Sequence, residues 1–76
     1  MRARFGRAVR KRRYEVGLSQ EKLAEMAGIH RTYLADIERG TRNPSLENIE
    51  KLARALQLTI ATLFSDYVAE EDTAGG

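Results

Sequence analysis

The 76-residue sequence predicts an all-α domain, a compact bundle of five short helices. Three observations indicate this class. Apolar residues recur at spacings of three and four, alternating strand patterns are absent, and glycine, serine or threonine stands at most of the expected helix boundaries. The chain contains no cysteine and is near the lower size limit for a core without disulfides, so packed apolar side chains must supply its stability.

The first two helices are defined by the residues at their ends. Apolar spacing predicts the first helix from Arg4 to Val16, and Gly17 follows it at the position where a left-handed residue is favoured. Ser19 is predicted to cap the second helix, which Gly28 closes. The residues predicted to face the core are Phe5, Ala8, Val9 and Val16 in the first helix, and Leu23, Ala24 and Ala27, with Met26 beside them, in the second.

The third and fourth helices follow the same pattern. The third is predicted from Arg31 to Arg39 and ends before Gly40, and the fourth runs from Leu46 to about Leu56 after a Ser45 cap. The predicted core faces are Leu34 and Ile37 in the third helix, and Leu46, Ile49, Leu52, Ala53 and Leu56 in the fourth.

A fifth helix and a short tail complete the chain. Thr59 is predicted to cap this helix, which includes Leu63 and Phe64 and extends as far as Val68. The last segment, AEEDTAGG, has no apolar periodicity. The sequence therefore predicts one domain over residues 1–68 and a disordered acidic tail over residues 69–76.

The charged residues are unevenly distributed along the chain. Residues 1–17 carry seven basic side chains and one acidic one, residues 18–64 carry six of each, and residues 65–76 carry four acidic ones. The resulting balances are +6, zero and −4. A basic front end suggests a polyanionic partner, but a solvated helix face would show the same cluster, so charge leaves both interpretations open.

Several function classes lack the residues that they need. One histidine and no cysteine argue against a protein-only metal site, and His30 is more simply interpreted as a surface or capping residue. Asp36 and Glu38 lie two apart on a helix and so point to different sides, which argues against an enzyme. No apolar run has the length of a membrane span or a signal-peptide core. We expect a cytoplasmic protein without cofactor, metal or membrane contact.

The segment AGIH joins the second and third helices in a tight turn, which is the arrangement of a helix-turn-helix. The run GLSQEKLAEMAGIHRTYLADIERGTRNPSLENIEKLARAL is more specific. With LSQ opening the second helix, LA inside it, IERG ending the third and NPSL opening the fourth, it resembles the lambda-repressor-like, Cro/C1-type (XRE) helix-turn-helix family. The resemblance covers about residues 5–64. Within the family, HRTYLADIERGTRN is similar to restriction-modification controller proteins.

The resemblance implies that the third helix enters the DNA major groove and meets base edges with its N-terminal residues. Arg31 can then donate two hydrogen bonds to guanine, and Thr32 can contact a base, a phosphate or a thymine methyl group. Tyr33 can reach a phosphate while its ring packs on the sugar edge. Ala35 is small enough for close approach, and Asp36 can accept from cytosine or repel the wrong register.

The resemblance also implies contacts to the DNA backbone. Gln20 would fix a phosphate and brace a neighbouring reading side chain, and Ser19 is in any case an N-cap. Arg42 and Asn43 would grip the backbone, although Asn43 before Pro44 can also shape a turn. The complete predicted DNA-binding set is Ser19, Gln20, His30, Arg31, Thr32, Tyr33, Ala35, Asp36, Arg42 and Asn43.

Two further features follow from the family pattern. Arg13 and Glu38 match an arginine and a glutamate that pair in the family, which implies a partly buried, structural ion pair between the first and third helices. Arg12 occupies a position where leucine is commoner, and Val16 can compensate for it on the apolar face. The other basic residues of the first helix can supply long-range attraction to DNA.

The end of the domain predicts a second functional surface. One such domain reads few base pairs, whereas a symmetric dimer reads two half-sites about 34 Å apart. Leu58 and Leu63 are expected mostly in the core, although Leu63 and Phe64 together can simply complete the monomer. The residues expected to contribute to a homodimer interface are Ile60, Phe64, Tyr67 and Val68.

The sequence therefore favours a dimeric, sequence-specific, double-stranded-DNA-binding transcriptional regulator on an inverted-repeat operator. In this interpretation it is nucleoid-associated, it blocks or contacts RNA polymerase, and the controller version predicts autoregulation. The alternative is an antitoxin-like adaptor whose acidic tail binds a protein partner. Against the adaptor, the tail lacks the apolar anchors that docking requires.

Overall fold

Five helices make up the regular structure of the computed structural model, which describes residues 2–65. The helices are α1 (Arg2–Glu15), α2 (Gln20–Ala27), α3 (Arg31–Arg39), α4 (Leu46–Ala55) and α5 (Ile60–Leu63). Since residues 2–65 contain no strand, the predicted all-α class with five helices is confirmed. Within the same residues, no helix has the length and apolar character needed to cross a membrane. The extension of the fifth helix to Val68 and the acidic tail lie outside the described residues.

Four of the five helices end in the same backbone geometry. Gly17, Gly28 and Gly40 follow α1, α2 and α3 with left-handed φ angles of 73°, 72° and 78°, and Gln57 follows α4 with a φ of 62°. At each of these ends, the backbone N–H of the next residue donates to the carbonyl five residues before it, over 2.8 to 3.0 Å. The bond satisfies a carbonyl that the helix leaves open.

The predicted N-caps at Ser19, Ser45 and Thr59 are confirmed. Each hydroxyl accepts a hydrogen bond from the backbone N–H three residues further on, over 2.9 to 3.1 Å. Glu21 and Glu47 lie in the first turns of α2 and α4, where the helix dipole favours an acidic side chain. The local sequence therefore determines where these three helices begin.

A single apolar core joins the five helices, and the predicted apolar faces supply it with two exceptions. Leu46 and Met26, both predicted to lie on core faces, are 72% and 47% exposed. The buried residues of α4, Leu52 and Ala53, lie towards its C-terminal end, whereas Leu46 is its first residue and more than one turn away. The buried apolar residues are Phe5, Ala8, Val9, Leu23, Ala24, Ala27, Leu34, Ile37, Leu52, Ala53, Leu56 and Leu63.

The backbones of α1 and α3 touch at Gly6. A Cβ atom at this position would lie 2.2 Å from the carbonyl oxygen of Ile37 and 2.8 Å from that of Glu38. A second close approach lies one turn away, where a Cβ on Gly40 would be 2.9 Å from the Cα of Ala3. Since real Cβ atoms do not approach other atoms this closely, α1 can lie along the end of α3 only with glycine at position 6.

Arg12 connects α1 to the end of α4. Its Nε donates to the carbonyl oxygen of Leu56 over 3.1 Å, and its guanidinium lies 3.6 Å from the carboxylate of Glu15. Val16, expected to compensate for the arginine by apolar packing, is half-buried at the core edge. The arginine thus has a structural use of its own, because it bonds to a carbonyl at the C-terminal end of α4.

The short α5 packs against the start of α1. Leu63 is buried and Leu58 is half-buried. The ring of Phe64 stacks on that of Phe5, with centroids 5.7 Å apart and planes at 22°. Ile60 is half-buried at the core edge. Phe64 is therefore also part of the monomer fold. Tyr67 and Val68, the other two residues expected in a dimer interface, lie outside the described residues.

Replacing Gly6 by alanine tests the contact between α1 and α3. The G6A variant should lose about 3 kcal/mol of unfolding free energy, because the added methyl group overlaps two backbone carbonyls. The matched control is G17A, at a position where no described atom lies within 4 Å of the added Cβ but φ is positive. It should lose about 1 kcal/mol. Urea denaturation measures both, and a G6A variant as stable as G17A would contradict the close approach.

Candidate nucleic-acid interface

The N-terminal turn of α3 begins with an exposed basic residue. Arg31 and Thr32 are exposed there, and the first turn contains no acidic residue. His30 occupies the N-cap position in extended conformation, but among the described residues its side chain makes no capping hydrogen bond. By contrast, α2 and α4 each have a serine cap and a glutamate. An arginine at the positive end of a helix is unfavourable by itself, so this end is suited to an anionic partner.

Tyr33 is held by two neighbours rather than projecting freely. Nδ2 of Asn48 donates to its hydroxyl over 2.8 Å, and the guanidinium of Arg42 lies 5.0 Å from the centre of its ring. Arg42 covers one face of the ring, so the expected packing on a DNA sugar edge, which stays a prediction, would use the other face or the ring edge. The hydroxyl accepts from Asn48, so its own proton is available for donation to a phosphate.

Asp36 is engaged within the protein. Its carboxylate forms an ion pair with Arg39, and its second oxygen lies 3.8 Å from the guanidinium of Arg42. The side chain is 22% exposed. In the protein without DNA, the carboxylate orients Arg39 and Arg42. The contact with cytosine stays a prediction, in which the base would compete with both arginines for the carboxylate.

A groove of about 720 Å³ separates the start of α3 from the start of α4. Asn43 lines it beside Arg42, in the loop that follows α3, and both residues are exposed. Asn48 and Lys51 line the opposite side from α4. The sequence analysis did not predict Asn48 and Lys51 as part of this groove. Their spacing could have indicated them, because residues three apart share one face of a helix, here the face of α4 next to its capped start.

Arg13 and Glu38 form a buried, doubly hydrogen-bonded pair between α1 and α3. Nε and Nη2 of the arginine donate to the two carboxylate oxygens over 2.8 and 2.9 Å, and the side chains are 8% and 4% exposed. The remaining Nη1 donates to the carbonyl of Leu18 over 3.1 Å. The hydrogen bond with Glu38 raises the pKa of Arg13, so the guanidinium stays charged.

Gln20, the first residue of α2, joins the same pair. Its Nε2 donates to Oε1 of Glu38 over 3.1 Å. The sequence predicts that Gln20 fixes a phosphate and braces a DNA-reading side chain. In the structure its amide braces a buried carboxylate, and the DNA contacts stay predictions. Ser19, just before Gln20, caps α2 by accepting a hydrogen bond from the backbone N–H of Lys22. Ala35 lies half-buried on the adjacent face of α3. One glutamate thus connects α1, α2 and α3.

Comparison with known proteins assigns the family. A family model described as helix-turn-helix matches residues 7–63. The chain belongs to the XRE-type helix-turn-helix family. In this family assignment, α2 and α3 are the two helices of the motif, and residues 28–30 between them form its turn.

Three relatives illustrate the similarity. The control protein C.BamHI of Bacillus amyloliquefaciens is 58% identical over 53 residues, which are 68% of this chain and 65%, just under two thirds, of that relative. The crystal structure of the restriction-modification controller protein C.AhdI from Aeromonas hydrophila has a TM-score of 0.79 and 48% identity, covering 82% of this chain and 94% of that one. SinR, a master regulator for biofilm formation solved in complex with DNA, has a TM-score of 0.74 and 38% identity, covering 78% and 95%.

Removing the shared carboxylate should destabilise the domain. The E38A variant leaves the guanidinium of Arg13 buried without its partner, and we expect a loss of about 3–5 kcal/mol of unfolding free energy. The matched control is E25A, because Glu25 pairs with Lys22 over 3.1 Å in an exposed ion pair. This change should cost less than about 1 kcal/mol. Urea denaturation of both variants is the measurement, and similar losses would contradict a buried, structural role for Glu38.

Proposed function

We propose that this protein is a transcriptional regulator that binds double-stranded DNA sequence-specifically, with α3 in the major groove. The main support is the N-terminal turn of α3, where Arg31 and Thr32 are exposed at an electropositive helix end. A major groove about 12 Å wide admits one helix, and an N-terminal turn is the part that meets base edges. Membership of the family and the likeness to SinR in complex with DNA agree with this function.

We assign base reading to the first turn of α3. Arg31 donates to O6 and N7 of guanine, and Thr32 contacts the neighbouring base or its phosphate. Tyr33 donates its hydroxyl proton to a phosphate while Asn48 holds the ring in place. Ala35 permits close approach of the helix to the bases. Asp36 acts by orienting Arg39 and Arg42 in this proposal, since its carboxylate already pairs with them.

The flanking segments anchor the DNA backbone. One amide N–H of Gln20 donates to Glu38, and the second N–H can donate to a phosphate beside the start of α2. Ser19 caps the start of α2, and the backbone N–H groups at this start also contact the DNA backbone. Arg42 and Asn43 contact the strand on the other side of α3, from the rim of the groove. His30, exposed between these two regions, lies close to the same backbone.

The active species in this proposal is a homodimer on an inverted repeat. One domain offers few base contacts, and each bidentate contact supplies about 1–3 kcal/mol of discrimination. Two domains related by a two-fold axis read half-sites about 34 Å apart and combine that discrimination. The interface is built on α5, with Ile60 and the outer edge of Phe64, together with Tyr67 and Val68.

The similarity to control and controller proteins supports a role in autoregulation of the protein's own promoter. The bound dimer would block RNA polymerase or contact it directly. In this proposal the protein works on chromosomal DNA in the cytoplasm, it acts by binding rather than by catalysis, and it needs no cofactor.

Selection from a random duplex pool at about 0.15 M salt tests this function, because non-specific binding is weak there. The proposal predicts an enriched inverted repeat whose spacing matches the dimer. Binding without enrichment would contradict a sequence-specific regulator. Capture of a protein partner with no DNA enrichment would favour the adaptor alternative, whose acidic tail lies outside the described residues.

Arg31 should determine the choice at one base position. On the selected duplex, R31A should cost about 1–3 kcal/mol of binding free energy per half-site and relax the preference for guanine at the equivalent position of each half-site. The control is R54A, which removes the same charge from an exposed side chain of α4 that pairs with Glu50. Competition binding against single-base variants measures both. Uniform weakening on every duplex by R31A would make Arg31 a phosphate contact instead.

Ile60 should be needed for the dimer. A charge at this position would be buried on pairing, so I60E should raise the dimer dissociation constant at least about tenfold. M26E is the control, because Met26 is 47% exposed on α2, a helix that contributes no residue to the proposed interface. Sedimentation equilibrium measures the dimer, and circular dichroism verifies that both variants remain helical. An I60E protein that dimerises like M26E would contradict the α5 interface.

A further inference from the structure

A second pocket, of about 320 Å³, lies where the end of α1, the start of α2 and the outer face of α3 meet. Its walls are polar and carry three arginines against one glutamate, which gives a net charge of +2. The base-reading and backbone contacts proposed above leave its α1 wall without a function. The lining residues are Arg10, Arg13, Tyr14, Gln20, Ala35, Glu38 and Arg39.

The α1 wall presents an exposed tyrosine between two guanidinium groups. Nε of Arg10 donates to the Tyr14 hydroxyl over 3.3 Å, and the guanidinium carbons of Arg10 and Arg13 lie 5.5 and 4.8 Å from the ring centre. The hydroxyl accepts from Arg10, so its own proton can be donated outward. The hydrogen bond from Arg10 and its charge lower the pKa of Tyr14, which indicates a positive local potential.

The charges in the pocket are not equally available. Glu38 accepts from Arg13 and Gln20, so its negative charge is compensated by the buried pair. Arg39 pairs with Asp36. Arg10, in contrast, donates to a neutral hydroxyl, so this contact leaves its charge uncompensated. An anion entering the pocket would therefore meet the guanidinium of Arg10 and the hydroxyl of Tyr14 first.

The pocket opens beside the face of α3 proposed to read DNA. Ala35 and Arg39 follow Arg31 by four and eight residues, and residues at this spacing share one face of a helix. Gln20, on the third wall, is the proposed phosphate contact of α2. A DNA strand that runs along this face therefore passes the mouth of the pocket.

We infer that this pocket binds a phosphate of the DNA backbone through the guanidinium of Arg10 and the hydroxyl of Tyr14. This site extends the DNA contact from the helix-turn-helix to the last turns of α1, and it rests on the proposed function. The guanidinium supplies charge and the hydroxyl supplies one directed hydrogen bond. The contact adds affinity on every sequence, whereas Arg31 adds preference for one.

Two substitutions on the exposed wall test the site, using the duplex obtained by selection. R10Q should lower the slope of log affinity against log salt by about 1.8, because the dimer loses one phosphate contact, worth about 0.9, in each half-site. Y14F keeps the ring and should weaken binding about tenfold on every duplex. The control is R54Q, which makes the same charge change on α4 and should keep the wild-type slope. Both pocket residues are exposed, so the thermal midpoints should not change.

Methylphosphonate substitution of single phosphates in the duplex locates the contact. At one backbone position in each half-site, the neutral group should weaken binding of the wild-type protein and have no effect on the R10Q/Y14F double variant. A lower salt slope without such a position would mean that Arg10 acts through its general field, which overturns the site. Wild-type affinity in both variants also overturns it. If the wild-type protein selects no duplex, the proposed function itself fails, and the site fails with it.

Discussion

The backbone contact between α1 and α3 is the constraint on which the rest of the domain depends. The Cβ that Gly6 lacks would overlap the last carbonyls of α3, and Gly40 meets the start of α1 almost as closely. Two helices this close cannot rotate about each other without a clash. The first helix therefore fixes the axis of α3, and the exposed face of α3 has one orientation relative to the core.

The Glu38 carboxylate extends this constraint to α2. Its oxygens accept from Arg13 and from Gln20, so one buried group joins three helices. This gives the proposed DNA contacts a common support, since Gln20 starts α2 and Arg31 starts α3. Side chains that contact one rigid ligand from different elements need such fixed positions. By contrast, the start of α3 has neither the serine cap nor the acidic first-turn residue that the starts of α2 and α4 have.

The sequence predicted most features that depend on local chemistry. Serine and threonine caps and the glycines after α1, α2 and α3 are local signals, and the structure has them as predicted. Gln57 escaped prediction because glutamine does not favour a positive φ. Leu46 was misjudged because periodicity gives the face of a helix but not how far the core extends along it.

Contacts between elements were harder to predict. The hydrogen bond between Tyr33 and Asn48 joins residues 15 apart on two helices, and no periodicity relates them. The pairing of Asp36 with Arg39 and Arg42 depends on how the loop after α3 folds back, which the family pattern does not specify. The family pattern did indicate Arg13 with Glu38, but not Gln20 as the third member of the cluster.

A crystal structure of the protein bound to its selected duplex would test this support for the DNA contacts most directly. In the complex, the first turn of α3 should lie in the major groove, Gln20 should still contact Glu38, and the backbones of α1 and α3 should still touch at Gly6. A complex in which another surface meets the DNA, or in which α3 has moved away from α1 to reach the bases, would contradict it.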